Sequence, residues 1–246
     1  MTVDNPSIQP EPINPSVVVL VSADAEWRSV RAIYPSARVE ASPFGEWFLV
    51  WIDLGAGSKL PVALFQGGWG KIAAAASTQY VIDCWQPDLI VNLGTCGGFA
   101  GEVALDEIIL VEKTVVYDIL EQMGDPDAHF AYYTTSFDLS WLGEPYPYPV
   151  RRATLVSGDR DLVPADIPQL KSRFAAQAGD WESAAIAWVA KRNSQRCLIL
   201  RGVSDVVDEH GSPAYNDQGY FEQAAQRIMR QLINILPGWI SLALER

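Results

Sequence analysis

The chain has 246 residues, 49% of them hydrophobic and 20% charged, enough apolar material to bury a core without disulfides or a structural metal. Its formal net charge of −12 argues against a nucleic-acid partner, because neutralising phosphates requires clustered Lys and Arg. Adjacent basic residues occur only at Arg151-Arg152 and Lys191-Arg192, and both pairs read as solvated surface features. No run reaches the ~18 apolar residues of a membrane span. The three cysteines, Cys84, Cys96 and Cys197, form no C-x-x-C pair, which fits reduced thiols in a cytoplasmic protein. With His129 and His210 as the only histidines, no zinc site is expected.

Met1 to Pro15 is polar and rich in Pro and Asn, without the basic and apolar regions of a signal peptide. It is expected to be a loose leader, leaving residues 16–246 as one domain. Val17 to Val21 is the first continuous apolar run, with Glu26 five residues beyond it. Phe48 to Ile52 and Val62 to Phe65 follow, on either side of a glycine turn at Gly55 to Gly57. An Ala-rich helix is expected over Lys71 to Cys84. Leu89 to Leu93 is a strand that ends at Gly94 and runs into a glycine loop, Gly94-Thr95-Cys96-Gly97-Gly98-Phe99-Ala100-Gly101. Ile108 to Val111 and Val115 to Val116 are further strands. Asp118 to Pro149, rich in Tyr, Asp, Gly and Pro, is expected to be a long loop with short elements. Thr154 to Val156 and Cys197 to Leu200 are strands. Trp181 to Arg192 and Gln218 to Leu236 carry apolar residues at helical spacing.

Continuous rather than alternating apolar runs fit strands covered on both faces. Their alternation with helices predicts a three-layer α/β/α sandwich around a mixed, largely parallel twisted sheet. In open α/β sheets ligands gather at the carboxyl ends of strands, so the polar residues that follow the runs are the candidates for chemistry.

Each candidate also has a local structural reading. The glycine loop could bring backbone N–H groups close to a ligand or simply make a tight turn; it matches neither G-x-G-x-x-G nor the phosphate loop. Asp205, at the end of Arg201-Gly-Val-Ser-Asp205, could donate a proton to a leaving group, or Ser204 or Asp205 could cap a helix. Asp180-Trp181-Glu182 could complement a helix dipole or grip a sugar diol. Glu26 could be a helix-surface charge or a general base.

Taken in order, these pieces resemble the purine nucleoside phosphorylase and nucleosidase superfamily, and most closely the methylthioadenosine/S-adenosylhomocysteine nucleosidases. The resemblance runs from about Val17 to Ile235. It rests on Gly67-Gly-Trp-Gly-Lys-Ile-Ala-Ala-Ala-Ala76, Pro87-Asp-Leu-Ile-Val-Asn-Leu-Gly-Thr-Cys-Gly-Gly98, Ser157-Gly-Asp159, the Asp-Trp-Glu-Ser-Ala-Ala helix and Val203-Ser-Asp-Val-Val-Asp208. It implies that Asp205, steadied by Ser204, is the acid at N7 of a departing purine, and that Glu26 activates the attacking water. Arg201 and Thr95 match positions near that water, and Cys96 and Gly97 belong to the same substrate-binding loop. Glu182 matches the residue that grips the ribose 2′- and 3′-hydroxyls. Trp181 replaces a methionine beside ribose and base, and Tyr215 matches an aromatic that closes over the 5′ end. Val116, Tyr117, Asp161 and Leu162 would line the base pocket.

The implied reaction is hydrolysis of the N-glycosidic bond of an adenine nucleoside without metal or cofactor, by an enzyme that forms a homodimer. Phosphorylases of the superfamily carry a phosphate-binding arginine just before the glycine loop; Asn92 stands there instead, which points to water as the nucleophile. A phosphorylase and a non-catalytic nucleoside-binding protein are the competing readings. Asp161 stands where bacterial nucleosidases carry a phenylalanine, and the run Gly158-Asp159 onward is closer to the plant type.

Overall fold

The computed structural model describes residues 13–54 and 59–245; most of the expected leader and the glycine turn at Gly55 to Gly57 lie outside the described residues. In chain order the elements are β1 (Val17–Val21), α1 (Asp24–Ile33), β2 (Glu40–Ser42), β3 (Gly45–Asp53), β4 (Lys59–Gln66), α2 (Lys71–Trp85), β5 (Leu89–Phe99), β6 (Ile108–Val116), α3 (Pro126–Tyr132), β7 (Thr134–Ser136), β8 (Arg151–Ser157), α4 (Ile167–Phe174), β9 (Ala176–Asp180), α5 (Ser183–Arg192), β10 (Cys197–Val207) and α6 (Gln218–Leu244).

The strands form one mixed sheet. Hydrogen bonding runs β2-β3-β4-β1-β5, and β5 then pairs with both β9 and β10. Because β9, β8, β6 and β10 are also joined in series, these strands and β5 close on themselves. Parallel pairing joins β4, β1, β5 and β10, and also β6, β8 and β9. The antiparallel pairs lie at β2-β3-β4, at β10-β6, at β5-β9 and at β6-β7.

Side chains alternate across this sheet as the pleat demands. Val17, Val19, Val21, Val91 and Leu200 face one way and pack with Ile228, Met229, Leu232 and Trp239 of α6. Val18, Leu20, Ile90 and Ile199 face the other way, against Ala74 and Val81 of α2 and Ile186 and Val189 of α5. The apolar runs are continuous because both faces are covered.

Several expectations are corrected. Gly94 to Phe99 is not a loop but the second half of β5, hydrogen-bonded beside Arg201 to Val207. Ile108 to Val116 is one strand, with a register shift between Val111 and Lys113 absorbing its polar middle. Helix α5 begins at Ser183 rather than Trp181, because the Asp180 carboxylate accepts from the N–H groups of Glu182 and Ser183 and holds them at the helix start. Helix α6 does not stop at Leu236 but passes through Pro237 to Leu244. A proline inside a helix costs about 3 kcal/mol. The turn beyond it buries Trp239, Ile240 and Ala243 almost completely, and at about 1.5–3 kcal/mol per large side chain that burial outweighs the defect. The segment from Asp118 to Pro149 contains only α3 and β7, as its composition suggests.

Candidate active site

The carboxyl halves of β5 and β10, the start of α1 and the end of β9 converge on a cavity of about 760 Å³. Of the residues expected in a site, Glu26, Thr95, Cys96, Gly97, Asp161 and Leu162 line it, as do Trp181, Glu182, Ser204, Asp205 and Tyr215. Arg201 lies buried among them, while Val116 and Tyr117 are not among the lining residues. Both are buried, Tyr117 in one cluster with Phe130 and Phe174 and with the cavity-lining Leu162 and Val207, and against Gly158, where a Cβ would stand 2.7 Å from its ring.

The glycines of β5 are required by close approach rather than by turning. A Cβ on Gly94 would lie 1.9 Å from Arg201 Nη1 and 2.9 Å from Glu26 Oε1. Only a residue without a side chain lets the guanidinium lie across the strand at this point. Arg201 is completely buried. Its Nε donates to Ser183 Oγ at 2.8 Å, its Nη2 donates to Asn92 Oδ1 at 2.7 Å, and Nη2 stands 2.9 Å from Asp180 Oδ2. Burial works against its charge, but Asp180, then Glu26 and Glu182, outweigh burial and raise its pKa. Asn92 is consumed by this network: its Nδ2 donates to the Leu20 carbonyl at 3.0 Å.

Glu26 sits in the first turn of α1, yet it is buried. Its Oε1 accepts from the Thr95 N–H at 2.6 Å and from Thr95 Oγ1 at 2.8 Å, and its Oε2 accepts from the Ala23 N–H at 3.3 Å. The last contact is the backward half of a capping box. Helix capping and the burial of this carboxylate in the cavity wall are therefore the same feature here.

Asp205 is held differently. Its Oδ1 accepts from Ser204 Oγ at 2.6 Å, and its Oδ2 accepts from the hydroxyl of Ser212. Ser204 Oγ also lies 3.1 Å from the Cys96 carbonyl. The Cys96 thiol itself is buried, and burial, then the negative charge of Asp180, raise its pKa well above the usual thiol value. It therefore stays a neutral thiol and is no nucleophile.

Glu182 caps α5, and its Oε1 accepts from the Gly70 N–H at 2.9 Å. Burial, then the neighbouring Asp180, push its pKa up to about 8 against the pull of Arg201. Beside it, Lys71 is ion-paired to Asp118 and stands 3.4 Å from Asp159, whose Oδ1 accepts from the Lys71 N–H at 2.7 Å. The rings of Trp181 and Trp69 lie 5.4 Å apart and form an apolar wall of the cavity. The Tyr215 hydroxyl donates to the Leu162 carbonyl at 2.5 Å, bringing the segment after β10 across the cavity. Among the described residues no group of three or more His, Cys, Asp and Glu side chains is placed to hold a metal ion, and no described helix is long and apolar enough to cross a membrane.

Sequence reasoning missed four participants. Asp180 read as a helix-opening acid or part of a diol grip, whereas it accepts from Ser157 Oγ at 2.5 Å and from Ser183 Oγ and pairs with Arg201. Trp69 and Gly70 stood inside a recognised glycine motif, and their distance from Trp181 and Glu182 in the chain hid the contact. Ser212 carried no signal, since no periodicity surrounds it.

Two buried carboxylates lining one cavity, one held by the Thr95 and Ala23 donors and the other by hydroxyls, can serve as base and acid on one substrate. The profile of the "Phosphorylase superfamily" matches residues 17–236. A 5′-methylthioadenosine/S-adenosylhomocysteine nucleosidase of Maridesulfovibrio salexigens is 30% identical over 188 residues, covering 71% of this chain and 80% of that one. The enzyme of the same name from Haemophilus influenzae is 29% identical over 167 residues, 63% of this chain and 73% of the relative. Among solved structures, 5′-methylthioadenosine nucleosidase of Arabidopsis thaliana in apo form superposes with a TM-score of 0.71 at 21% identity, over 92% of this chain and 96% of the other. Matched by the profile over most of its length and by a 30% identical nucleosidase, this chain belongs to the phosphorylase superfamily.

Proposed function

We propose that this chain is an N-glycosyl hydrolase that releases adenine from 5′-methylthioadenosine, S-adenosylhomocysteine or a closely related nucleoside, with water as the nucleophile. The observation that carries this reading is the pairing of Glu26 and Asp205 across one cavity. Glu26 is bound at Thr95, and Asp205 Oδ2 lies 3.6 Å from where a Cβ on Gly97 would stand. Two residues along a strand span about 7 Å, so the two carboxylates meet the cavity beside neighbouring points of β5.

In this reading Asp205 delivers a proton to N7 as the C1′–N9 electron pair moves into the purine. Glu26 removes a proton from the water that attacks C1′, and Glu182 accepts hydrogen bonds from the ribose 2′- and 3′-hydroxyls. Arg201 holds Asn92, Ser183 and Asp180 in place around them. General acid–base help is worth about 10²–10⁴-fold per group, and positioning in a closed cavity supplies more. Asp161 and Leu162 bound the base end, and Trp69, Trp181 and Tyr215 the rest. The acting unit is residues 16–246, working in the cytoplasm as three unpaired thiols suggest.

The phosphorylase reading is disfavoured by Asn92, which is buried under Arg201 and offers no cation to phosphate. A homodimer is supported by exposed apolar side chains: Trp69 on the cavity wall, Ile72 in the first turn of α2, and Leu120 and Met123 in the segment after Asp118, which pairs with Lys71. The decisive experiment is adenine release from 5′-substituted adenosines with and without phosphate. Wild type is expected to act without phosphate and Asp205→Asn to be nearly inactive. Formation of a ribose 1-phosphate, or full activity of Asp205→Asn, would overturn the assignment.

A further inference from the structure

The acid that protonates the leaving base must itself become an anion. As the proton passes from Asp205 to N7, negative charge grows on a carboxylate that is buried. Among the described residues no lysine or arginine forms an ion pair with it. The groups that meet its two oxygens are the hydroxyls of Ser204 and Ser212.

These hydroxyls are not equivalent. A hydroxyl has one proton to donate, and a carbonyl oxygen can only accept. Ser204 stands between two acceptors, Asp205 Oδ1 at 2.6 Å and the Cys96 carbonyl at 3.1 Å, so its proton is divided between them. Ser212 accepts from the Ala214 N–H at 3.0 Å, which occupies a lone pair and leaves its proton directed at Oδ2.

The backbone around Ser212 is built to keep it there. Asp208 and Gly211 exchange backbone hydrogen bonds at 3.0 and 3.2 Å, closing a tight turn, and Gly211 takes a φ of +109° that other residues rarely adopt. Asp208 Oδ1 accepts from the His210 N–H at 2.7 Å inside that turn. Downstream, the Tyr215 N–H donates to the Ser212 carbonyl at 3.0 Å, and the Tyr215 hydroxyl fastens the segment to Leu162.

We propose that Ser212 is a positioning residue for the glycosidic cleavage: its hydroxyl stabilises the Asp205 carboxylate as the proton leaves for the purine. The proposal rests on the nucleosidase reading and adds a residue to it. The proton moves from Asp205 to N7, the C1′–N9 pair moves to the purine, and Ser212 keeps its own proton throughout. A hydrogen bond to a charged group has the strength for this.

The test is steady-state adenine release by wild type, Ser212→Ala and Ser212→Thr, with a thermal melt of each protein. Ser212→Ala is expected to lower kcat about ten- to hundredfold, with KM within about twofold and an unchanged melt, and Ser212→Thr, which keeps the hydroxyl, to recover to within about threefold of wild type. An unchanged kcat in Ser212→Ala, a loss confined to KM, or equal impairment of the Ala and Thr variants would each overturn this inference while leaving the nucleosidase reading intact. A wild-type protein that releases no adenine would overturn that reading, and the role of Ser212 with it.

Discussion

The guanidinium of Arg201 and the carboxylate of Asp180 stand 2.9 Å apart, and their side chains are 0% and 3% exposed. The pair ties β10 to the end of β9 in the layer beneath the cavity. Removing one partner of such a pair leaves a buried charge uncompensated and costs about 3–5 kcal/mol. Asp180→Ala is therefore expected to unfold at a clearly lower temperature than wild type and to lose activity, as measured by a thermal melt and adenine release. A melt within about 1 °C of wild type would show that the pair contributes little.

Glu182 sets a pH dependence. Its pKa of about 8 in the folded protein stands above the ordinary 4.5, so the folded state keeps a proton that the unfolded chain has released across that window. The stability contributed by this group is complete below about pH 4.5 and is lost as pH rises through about 8. Glu182→Gln is expected to flatten the decline between these limits in denaturant titrations at a series of pH values. If Glu182 accepts from the ribose diol as proposed, kcat/KM on a ribonucleoside is expected to rise toward pH 8 as this carboxylate becomes ionised. The rise should be absent in Glu182→Gln.

Gly94 tests the packing argument. A methyl group there would meet Arg201 Nη1 at 1.9 Å, inside a network with no room to give. Gly94→Ala is expected to cost about 3 kcal/mol, at the upper end for overpacking, and to abolish catalysis by displacing Glu26 and Arg201 together. Circular dichroism with an activity assay reads both effects.

Lys71 connects the start of α2 to Asp118 and Asp159, and its neighbour Gly70 donates to Glu182. Lys71→Met leaves two partly covered carboxylates facing each other. It is expected to cost about 2 kcal/mol, between the surface and buried limits for an ion pair. KM should rise several-fold because the Gly70 N–H no longer fixes Glu182, while kcat falls less. Equal loss in kcat and KM would place Lys71 nearer the chemistry than the structure does.

The legible part of the fold was the part written in local pattern. The valine run of β1, the Ala-rich α2, the apolar starts of β5 and β10 and the amphipathic α6 all follow from side chains that must be buried on one face or both. β9 was invisible because Ala-Gln-Ala-Gly-Asp contains no β-branched or aromatic residue, and only its neighbours β5 and β8 make it a strand. The extension of β5 through Phe99 was hidden for a related reason: its glycines read as a turn until β10 supplied the partner they approach.

The sequence by itself determined the residue types and the order in which they meet the strand ends, and through them the kinship that pointed to Glu26 and Asp205. Read locally, Glu26 looked like a surface charge on a helix, and it does lie in the first turn of α1. Tertiary structure alone decided that this turn meets Thr95, that Asn92 is spent on Arg201, that Tyr117 packs behind Leu162, and that Ser212 returns to Asp205. The physical reason is the same in each case. Burial and hydrogen-bond partners 69 and 106 residues apart in the chain come from the closure of the strands around β5 and β10, and no window of local periodicity contains them.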